Sequence, residues 1–436
     1  MRLDHSNLAA PLLGLCYYPS VAPTLSRLAL LRNNPAFARL TLAFTVSSLG
    51  DPLTQIAALV TIYALTANPL IVAAAFIIQA VAALLMSTIL GGLADRLERR
   101  TLVVRLGFAR AVLLFATPLL ISYSIWLILP ILFTLAFINA IVTPAQQSSV
   151  PHLVPSGALG PANSIVFGAT WVAQAAGAGL ASLVLLFWPL LHSALPATTG
   201  LFWLDGLTFL VAALLILPLP HLGGGTPTIR VFSALRTAFS ILAARSHLLL
   251  AAFASFFIGL AFPTFIVLAY RLAPPTQGPL AYSWLEAATS LSLFAGALAL
   301  GRFSSIGTHR TASFGLLVSG LFSLPIFLLP LLLPGWFPFF FALSLLFVAS
   351  IGNPIYSVAN STALMELADE NNRGRVMATR FGLSQTGSLL GFGAAGVLNS
   401  LAGPFVTFGL IGAGLLLHSF GAHLLSSRSP HLTTSP

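Results

Sequence analysis

One acidic residue and one amide residue interrupt the first long apolar stretch of the sequence, 40–65. Asp51 lies about 11 residues into it, or roughly 17 Å at 1.5 Å per residue, and Gln55 follows one helical turn later on the same face. An Asp inside a membrane helix costs roughly 2.5 to 3.5 kcal/mol on insertion scales, so it is by default a candidate functional residue. We predict that Asp51 lines a central cavity and binds a proton or a cationic substrate. The alternative is a buried ion pair with Arg110, which lies inside another apolar stretch.

Two further acids interrupt apolar stretches near the end that we predict to be external. Asp205 and Glu286 each lie about one helical turn inside their stretch, and either suits an outer gate or a proton acceptor. Arg271 is near Glu286 in the predicted topology, so an ion pair between these two residues is the alternative for Glu286. For Asp205 the alternative is a cap at the N-terminal end of its helix, where acids are favoured by the helix dipole.

A stretch near residue 355 carries polar side chains at the spacing of one helical face, namely Asn353, Tyr356, Ser357 and Asn360. A polar stripe within lipid must face protein or water. The stripe therefore lines a cavity or forms hydrogen bonds between helices. Isolated polar or amphipathic residues in other apolar stretches are weaker candidates of the same kind, namely Trp171, Gln174 and Gln79.

The composition excludes an ordinary soluble protein. Only 6% of the 436 residues are Asp, Glu, Lys or Arg, 57% are apolar, and the mean hydropathy is +0.97, whereas a typical globular domain is roughly one quarter charged. Twelve apolar stretches are long enough for membrane helices, and their continuous apolar character disfavours a β-barrel. They are 40–65, 70–94, 101–121, 125–145, 163–188, 201–217, 248–270, 282–300, 314–333, 339–365, 376–401 and 405–425.

The basic residues predict the orientation of these helices. All 19 cations are Arg, and 17 of them fall on one side of an alternating topology, leaving Arg110 inside a span and Arg271 on the other side. The positive-inside rule then places both termini in the cytoplasm and the chain in the cell (inner) membrane as a multi-pass protein. Because the net charge of +10 is explained by topology, a nucleic-acid partner loses its main support.

The sequence divides into two halves that resemble each other. The stretch 91–100 after the second span corresponds to 301–310 after the eighth, and 157–186 corresponds to 374–403. Such symmetry is typical of secondary transporters. We predict an all-α polytopic membrane protein with two pseudo-symmetric six-helix bundles. The predicted segments are an N-terminal extension at 1–34, bundles at 35–218 and 248–425, a cytoplasmic linker at 219–247 and a tail at 426–436.

The loop after the second span carries a family signature. Its sequence, Gly-Gly-Leu-Ala-Asp-Arg-Leu-Glu-Arg-Arg, resembles the loop motif of the major facilitator superfamily. In this resemblance Gly91 lets helices approach, Asp95 accepts hydrogen bonds from a facing helix N-terminus, and Arg96, Arg99 and Arg100 hold the cytoplasmic side in one conformation by ion pairing. The alternative is a basic loop with a helix-ending turn.

Other motifs are similar to the drug and siderophore exporter branch that includes macrolide efflux proteins. They are Asn34-Pro35-x-Phe37-x-x-Leu40, Leu49-Gly50-Asp51, Pro144, Pro151-x-Leu153-Val154-Pro155, Ala162-Asn163-Ser164, Asp205-x-x-x-Phe209 and Asn372-Arg373-Gly374-Arg375-Val376. Two positions depart from that pattern. Gly107 stands where such sequences often carry an Asp close to Arg110, and the Gly-Pro signature of antiporters is reduced to Gly177-x-Gly179.

The resemblance implies an alternating-access exporter of small hydrophobic or amphipathic compounds, driven by proton antiport. The alternatives are a lipid or siderophore exporter or flippase, and a transporter-like receptor without turnover. No zinc pair, nucleophile elbow, phosphate loop or dinucleotide fingerprint occurs in a suitable context, so we predict no enzyme activity. We expect no cofactor and no metal, the proton gradient as energy source, the lipid bilayer and the substrate as partners, and a monomer.

Overall fold

Apolar composition and short polar breaks produce a chain that is helical nearly throughout the part described by the computed structural model. The described residues are 27–85, 98–147, 149–155, 158–191, 195–220, 246–273, 277–299, 308–331, 336–366 and 373–427. No strand occurs within these ranges. The predicted division between the bundles at 219–247 stays a prediction, because residues 221–245 lie outside them.

In the first half, the described residues form two short helices and six long ones. The short helices are α1 (Arg27–Asn33) and α6 (Val150–Leu153). The long helices are α2 (Pro35–Thr66), α3 (Pro69–Leu85), α4 (Arg99–Tyr123), α5 (Ile128–Gln147), α7 (Leu159–Leu191) and α8 (Ala197–Ile216). Asn34 separates α1 from α2 and caps α2, because its side-chain oxygen accepts a hydrogen bond from the Phe37 amide at 3.0 Å.

Where the structure describes the second half, it contains six long helices and a 3-10 segment. The helices are α9 (Ser246–Leu272), α10 (Gly278–Ala299), α11 (Thr308–Ser323), α12 (Trp336–Glu366), α13 (Arg373–Leu401) and α14 (Gly403–Ser427). The 3-10 segment, Leu324–Leu331, continues α11. The described part of each predicted span therefore falls, apart from a few end residues, on one of these long helices or, at 324–331, on the 3-10 segment, while 86–94 of the second span lies outside the described residues.

Eight of the described segments are long and apolar enough, by length and composition alone, to cross a membrane. Four of the helices described above do not meet this criterion. Helix α3 is too short, and α2, α10 and α13 are too polar. These four share a location, because α3 packs against α13 and α10 packs against α7 and α2. The helices with the weakest membrane signal are thus those at the boundary between the two halves, where neighbouring helices cover their polar residues.

The packing repeats with an offset of six long helices, which confirms two pseudo-symmetric bundles. In the first bundle α2 packs on α7 and α8, α4 on α8, and α3 on α5. In the second, α9 packs on α13 and α14, α11 on α14, and α10 on α12. The main contacts between the bundles, α7 with α10 and α13 with α3, are themselves a symmetric pair.

Small residues allow the closest of these approaches. Gly177 of α7 lies directly on the backbone carbonyl of Leu49 in α2, where any Cβ would overlap it, whereas Gly179 has no neighbour within 4 Å of an added Cβ. Only the first glycine of the Gly177-x-Gly179 motif is therefore needed for helix packing.

The two bundles meet at one end of the molecule. The Ser182 and Ser283 hydroxyls lie 2.8 Å apart, and the Tyr63 and Tyr270 rings pack edge to face with centroids 4.7 Å apart. These residues lie where α2, α7 and α9 finish and where α10 begins. We call this end the closed end. The opposite end, where α8 finishes and α9 begins, is the linker end.

Candidate functional site

Arg110 of α4 and Asp51 of α2 form an ion pair near the middle of the first bundle. Arg110 Nη2 lies 3.0 Å from Asp51 Oδ1. The guanidinium also packs 3.6 Å above the centroid of the Phe209 ring, and its Nη1 donates a hydrogen bond to Asn139 Oδ1 at 3.4 Å. The Arg110 side chain is 9% exposed and that of Asp51 is 38% exposed. The arginine is therefore fixed in the protein, and the acid reaches solvent space.

Both sequence interpretations of Asp51 agree with this geometry. The predicted ion pair with Arg110 forms, and the same carboxylate also lines a cavity. Gly107 does not leave Arg110 without an acid, because Asp51 takes that place. A Cβ on Gly107 would lie 3.1 Å from the Cβ of Ala213 in α8, so this position serves close packing of α4 on α8.

Asp205 of α8 is buried, with 1% of its surface exposed. Thr54 of α2 donates a hydrogen bond to its Oδ2, and Thr208 donates one to its Oδ1 at 3.0 Å. Gly50 lies against the same carboxylate, so that a Cβ there would overlap it. The capping alternative is wrong, because α8 begins at Ala197 with Pro196 as its N-cap. Asp205 is eight residues further on, about 12 Å along the axis.

Glu286 of α10 lies at a similar depth, because α10 begins at Gly278 and Glu286 is again eight residues further on. Its side chain is partly exposed to the central cavity. Within the described ranges it forms no ion pair and no hydrogen bond. The predicted pair with Arg271 is therefore wrong. Arg271 lies in the last turn of α9 and is exposed, so its charge is solvated at the closed end.

A cavity of about 910 Å³ lies between the bundles and brings the three acids together. Asp51, Asp205 and Glu286 contribute to its wall, as does Arg110. Four glutamines from four different helices also line it, and they are Gln55, Gln79, Gln174 and Gln385. The wall includes three phenylalanines in ring contact, Phe76, Phe262 and Phe392. The cavity thus combines charge, amide groups and aromatic surface.

A smaller cavity of about 440 Å³ adjoins the same ion pair within the first bundle. Asp51, Arg110, Asn139 and Gln174 belong to both cavities. The smaller cavity reaches Asn163 near the start of α7, which is at the linker end. The ion pair consequently separates the central cavity from a space that extends toward the linker end.

Several cavity residues were not singled out in the sequence, notably Asn139 and Gln385. Each is a polar residue within an apolar span, which is the signal that identified Gln79 and Gln174. That rule, applied to every span, finds both residues. Trp171 lines neither described cavity, although it is three residues from Gln174.

The predicted polar stripe on α12 belongs to neither described cavity. Ser357 accepts hydrogen bonds from Arg380 of α13, whose Nη2 lies 3.2 Å from both its carbonyl and its hydroxyl oxygen. Tyr356 and Asn360 are buried, at 6% and 9% exposed. Asn353 is partly exposed on the same helix. For Ser357 the interpretation as a contact between helices is therefore correct, and the cavity-lining interpretation of the stripe finds no support in the described cavities.

The predicted gating loop is described only at its end. Gly91, Asp95 and Arg96 lie outside the described residues. Arg99 Nη1 is 2.7 Å from Nε2 of His152, which lies in the short helix α6. Arg100 Nη1 donates to the Leu219 carbonyl at 2.8 Å, and its Nε lies 3.6 Å from Glu98. These two arginines thus connect the start of α4 to two other segments at the linker end.

No group of three or more His, Cys, Asp or Glu that could hold a metal ion occurs among the residues that the structure describes. The side chains at the ion pair and the cavity offer proton exchange at carboxylates, hydrogen bonding and aromatic contact. These are means of binding and releasing a solute.

In sequence, residues 40–273 match the protein-family model of the Major Facilitator Superfamily. No curated protein matches the chain in sequence. Solved structures do match it in fold. A structure of the nucleoside transporter NupG has a TM-score of 0.68 and 12% identity, covering 90% of this chain and 99% of that one.

Two more transporter structures are similar. A bacterial homologue of the iron transporter ferroportin, in an inward-facing state, has a TM-score of 0.67 and 17% identity, over 90% of this chain and 99% of its own. A bacterial homologue of the lysosomal transporter Spinster, inward-facing and occupied, has a TM-score of 0.62 and 16% identity, over 90% and 96%. At these identities the likenesses show the fold.

Proposed function

Since this chain belongs to the major facilitator superfamily, whose fold and relatives are those of multi-pass membrane transporters, we propose that it exports small hydrophobic or amphipathic compounds by proton antiport. The observation that carries this proposal is the unequal pairing of three acids at one cavity. Asp51 has an arginine partner, Asp205 has two threonine donors, and Glu286 has neither within the described residues.

This arrangement supports proton coupling because protonation would break a different set of contacts at each acid. Protonation of Asp51 breaks the ion pair with Arg110, which holds α2 and α4 together. Protonation of Glu286 breaks no described contact. We propose that Glu286 takes up and releases the coupled proton, and that Asp51 exchanges Arg110 for a proton or a cationic group of the substrate as the bundles move.

The cavity wall supports the proposed substrate class. The Phe76 ring lies 5.3 Å from that of Phe392 and 6.2 Å from that of Phe262, centroid to centroid, which forms an aromatic surface across the two bundles. The four glutamines offer donors and acceptors on the remaining wall. A compound with an apolar body and a polar or cationic end matches both parts.

The contacts between the bundles support alternating access. They are concentrated at the closed end, which the Ser182–Ser283 and Tyr63–Tyr270 contacts seal. We propose that the closed end faces outward in the cell membrane, because the arginine-rich loops then lie in the cytoplasm, as do both termini. The structure then corresponds to a cytoplasm-facing state of a monomer that needs no resident cofactor and that draws its energy from the proton gradient.

The test is transport by the purified protein in liposomes. We expect an imposed proton gradient to drive a fluorescent amphipathic cationic dye against its own gradient, and an uncoupler to abolish this accumulation. Asp51→Asn at a normal protein level is expected to remove accumulation. Unchanged transport in Asp51→Asn would overturn its proposed role.

A matched pair on α7 tests the cavity. Gln174→Leu changes a residue shared by both cavities and should reduce dye transport, whereas Trp171→Phe, in neither cavity, should not. Dye binding without flux would instead indicate a receptor. Movement of a headgroup-labelled lipid, with no dye transport, would indicate the lipid exporter or flippase.

A further inference from the structure

Arg380 lies within α13, on the predicted span 376–401, and has no acidic partner in the part of the chain that the structure describes. It is seven residues from the helix start at Arg373, about 10 Å along the axis from the linker end. Its side chain is partly buried. An intramembrane arginine is normally paired with an acid, with backbone carbonyls or with a ligand. Here Nη2 donates to the Ser357 carbonyl and hydroxyl, each at 3.2 Å, so among the described residues its partners are neutral.

Donors on α12 and α13 near this contact also have no acceptor. Arg380 Nε, Tyr356 Oη and Asn360 Nδ2 are buried, and none of them has a hydrogen-bond partner among the residues that the structure describes. Tyr356 is close enough to Arg380 to interact with it electrostatically. Asn360 follows Tyr356 by one helical turn, and Ser357 is their neighbour on α12, so these side chains share a face. A buried donor without an acceptor is energetically unfavourable.

One kind of ligand satisfies all of these groups at once. A carboxylate or phosphate oxygen accepts hydrogen bonds, neutralises the guanidinium and matches its planar fork of donors. A cation is disfavoured by the charge of Arg380. A neutral apolar group leaves the three donors unsatisfied. An acceptor group with negative charge is therefore the complement of this cluster.

We propose that Arg380, Tyr356, Asn360 and Ser357 form an oxyanion-binding site in the second bundle, which takes a carboxylate or a phosphate group. The site is separate from the cavity between the bundles, because none of its residues lines that cavity. It is also separate from the ion pair of Asp51 and Arg110, which belongs to the first bundle. The proposal does not depend on proton-coupled export, because it concerns binding and is measured without transport.

The test is thermal unfolding of the purified protein in neutral detergent, with inorganic phosphate, acetate or chloride at equal ionic strength. We expect phosphate, acetate or both to raise Tm saturably and chloride not to. Loss of one charge-assisted hydrogen bond corresponds to about tenfold weaker binding, which is the minimum expected for Arg380→Gln. Tyr356→Phe removes only a hydroxyl, so it should keep the fold and also weaken binding. It provides the test if Arg380→Gln is unstable.

The control is Arg271→Gln, which removes an exposed arginine from the end of α9 and should leave the anion effect unchanged. A second arm distinguishes the source of the group. Protein in nanodiscs of phosphatidylcholine with phosphatidylglycerol is analysed for retained lipid by native mass spectrometry. If the protein retains the acidic lipid and Arg380→Gln abolishes this retention, the bound group is a lipid headgroup. If phosphate or acetate binds saturably and no lipid is retained, the bound group is a soluble anion.

Two results would overturn the proposal. One is anion and lipid binding by Arg380→Gln and Tyr356→Phe equal to that of the unsubstituted protein. The other is the absence of any saturable effect of phosphate or acetate together with no retained phosphatidylglycerol.

Discussion

The hydroxyl oxygens of Ser182 and Ser283 lie 2.8 Å apart, one on α7 of the first bundle and one on α10 of the second. Serine hydroxyls at hydrogen-bond distance place the two Cβ atoms near the separation that a disulfide spans. If transport requires the bundles to part at this end, a covalent link between these two positions must stop it.

We therefore expect Ser182→Cys with Ser283→Cys, in a Cys16→Ser background, to form a disulfide on mild oxidation and to lose transport. Reductant should restore activity. The background matters because Cys16 is the only cysteine of the sequence. Cross-linking is read from a mobility shift after cleavage of an engineered site in the loop between the bundles.

The control pairs Ser182→Cys with Trp284→Cys. Trp284 is adjacent to Ser283 but is 47% exposed and so faces away from α7. It should neither cross-link nor inhibit. A cross-linked Ser182–Ser283 variant with full transport would show that this end does not open.

The Asp51–Arg110 pair predicts that the double substitution lowers stability less than the substitution of Asp51 alone. Asp51→Asn leaves the 9% exposed Arg110 side chain without its counter-ion, so Tm should fall. Breaking a fully buried pair costs about 3 to 5 kcal/mol, and the loss here should be smaller because the Asp51 side chain is 38% exposed. Asp51→Asn with Arg110→Gln should recover part of the loss and remain inactive. Additive losses in the double variant would contradict an energetic coupling of the two residues.

The close contact of Gly50 with Asp205 predicts that a methyl group added at position 50 lowers the stability of the protein. Gly50→Ala would place its Cβ against the Asp205 carboxylate and Thr208, and overpacking of this kind costs about 1 to 3 kcal/mol. Gly179→Ala is the matched change, because nothing lies within 4 Å of its added Cβ and alanine favours a helix. Thermal unfolding should show a lower Tm for the first variant and an equal or higher Tm for the second. Equal Tm values would mean that Asp205 can move away from α2 without loss.

Glu286 predicts a separation of substrate movement from proton coupling. Glu286→Gln removes the charge and breaks no described contact, so the protein should fold and exchange substrate between the two sides of a liposome. It should no longer accumulate substrate in response to a proton gradient. Glu286→Asp keeps the acid and should retain accumulation. If Glu286→Gln accumulates substrate like the unsubstituted protein, the coupled proton is carried elsewhere.

Much of the architecture could be predicted from the sequence because membrane insertion is decided locally. An apolar stretch of about 20 residues is a membrane helix wherever it occurs. For this reason the described part of every predicted span is helical almost throughout, and Asp51 and Arg110 are recognisable as intramembrane charges. The loop motif that identified the family is also a local feature. The match of residues 40–273 to the family model confirms the family but not the exporter branch.

Apart from the Asp51–Arg110 pair, the partners of the charged residues could not be predicted, because they depend on helix rotation and on which helices are neighbours. Arg271 and Glu286 are close along the chain, yet Arg271 is exposed at the closed end while Glu286 faces the cavity. For Asp205 the alternative was a cap on its own helix, but one of its two donors is Thr54, 151 residues away. Arg380 was counted with the cytoplasmic charges, and its burial depends on α12, which supplies Ser357. The sequence by itself determined which residues enter the membrane, through the free energy of inserting each stretch. The tertiary structure alone decided which charges meet, because only packed helices bring distant side chains within hydrogen-bond range.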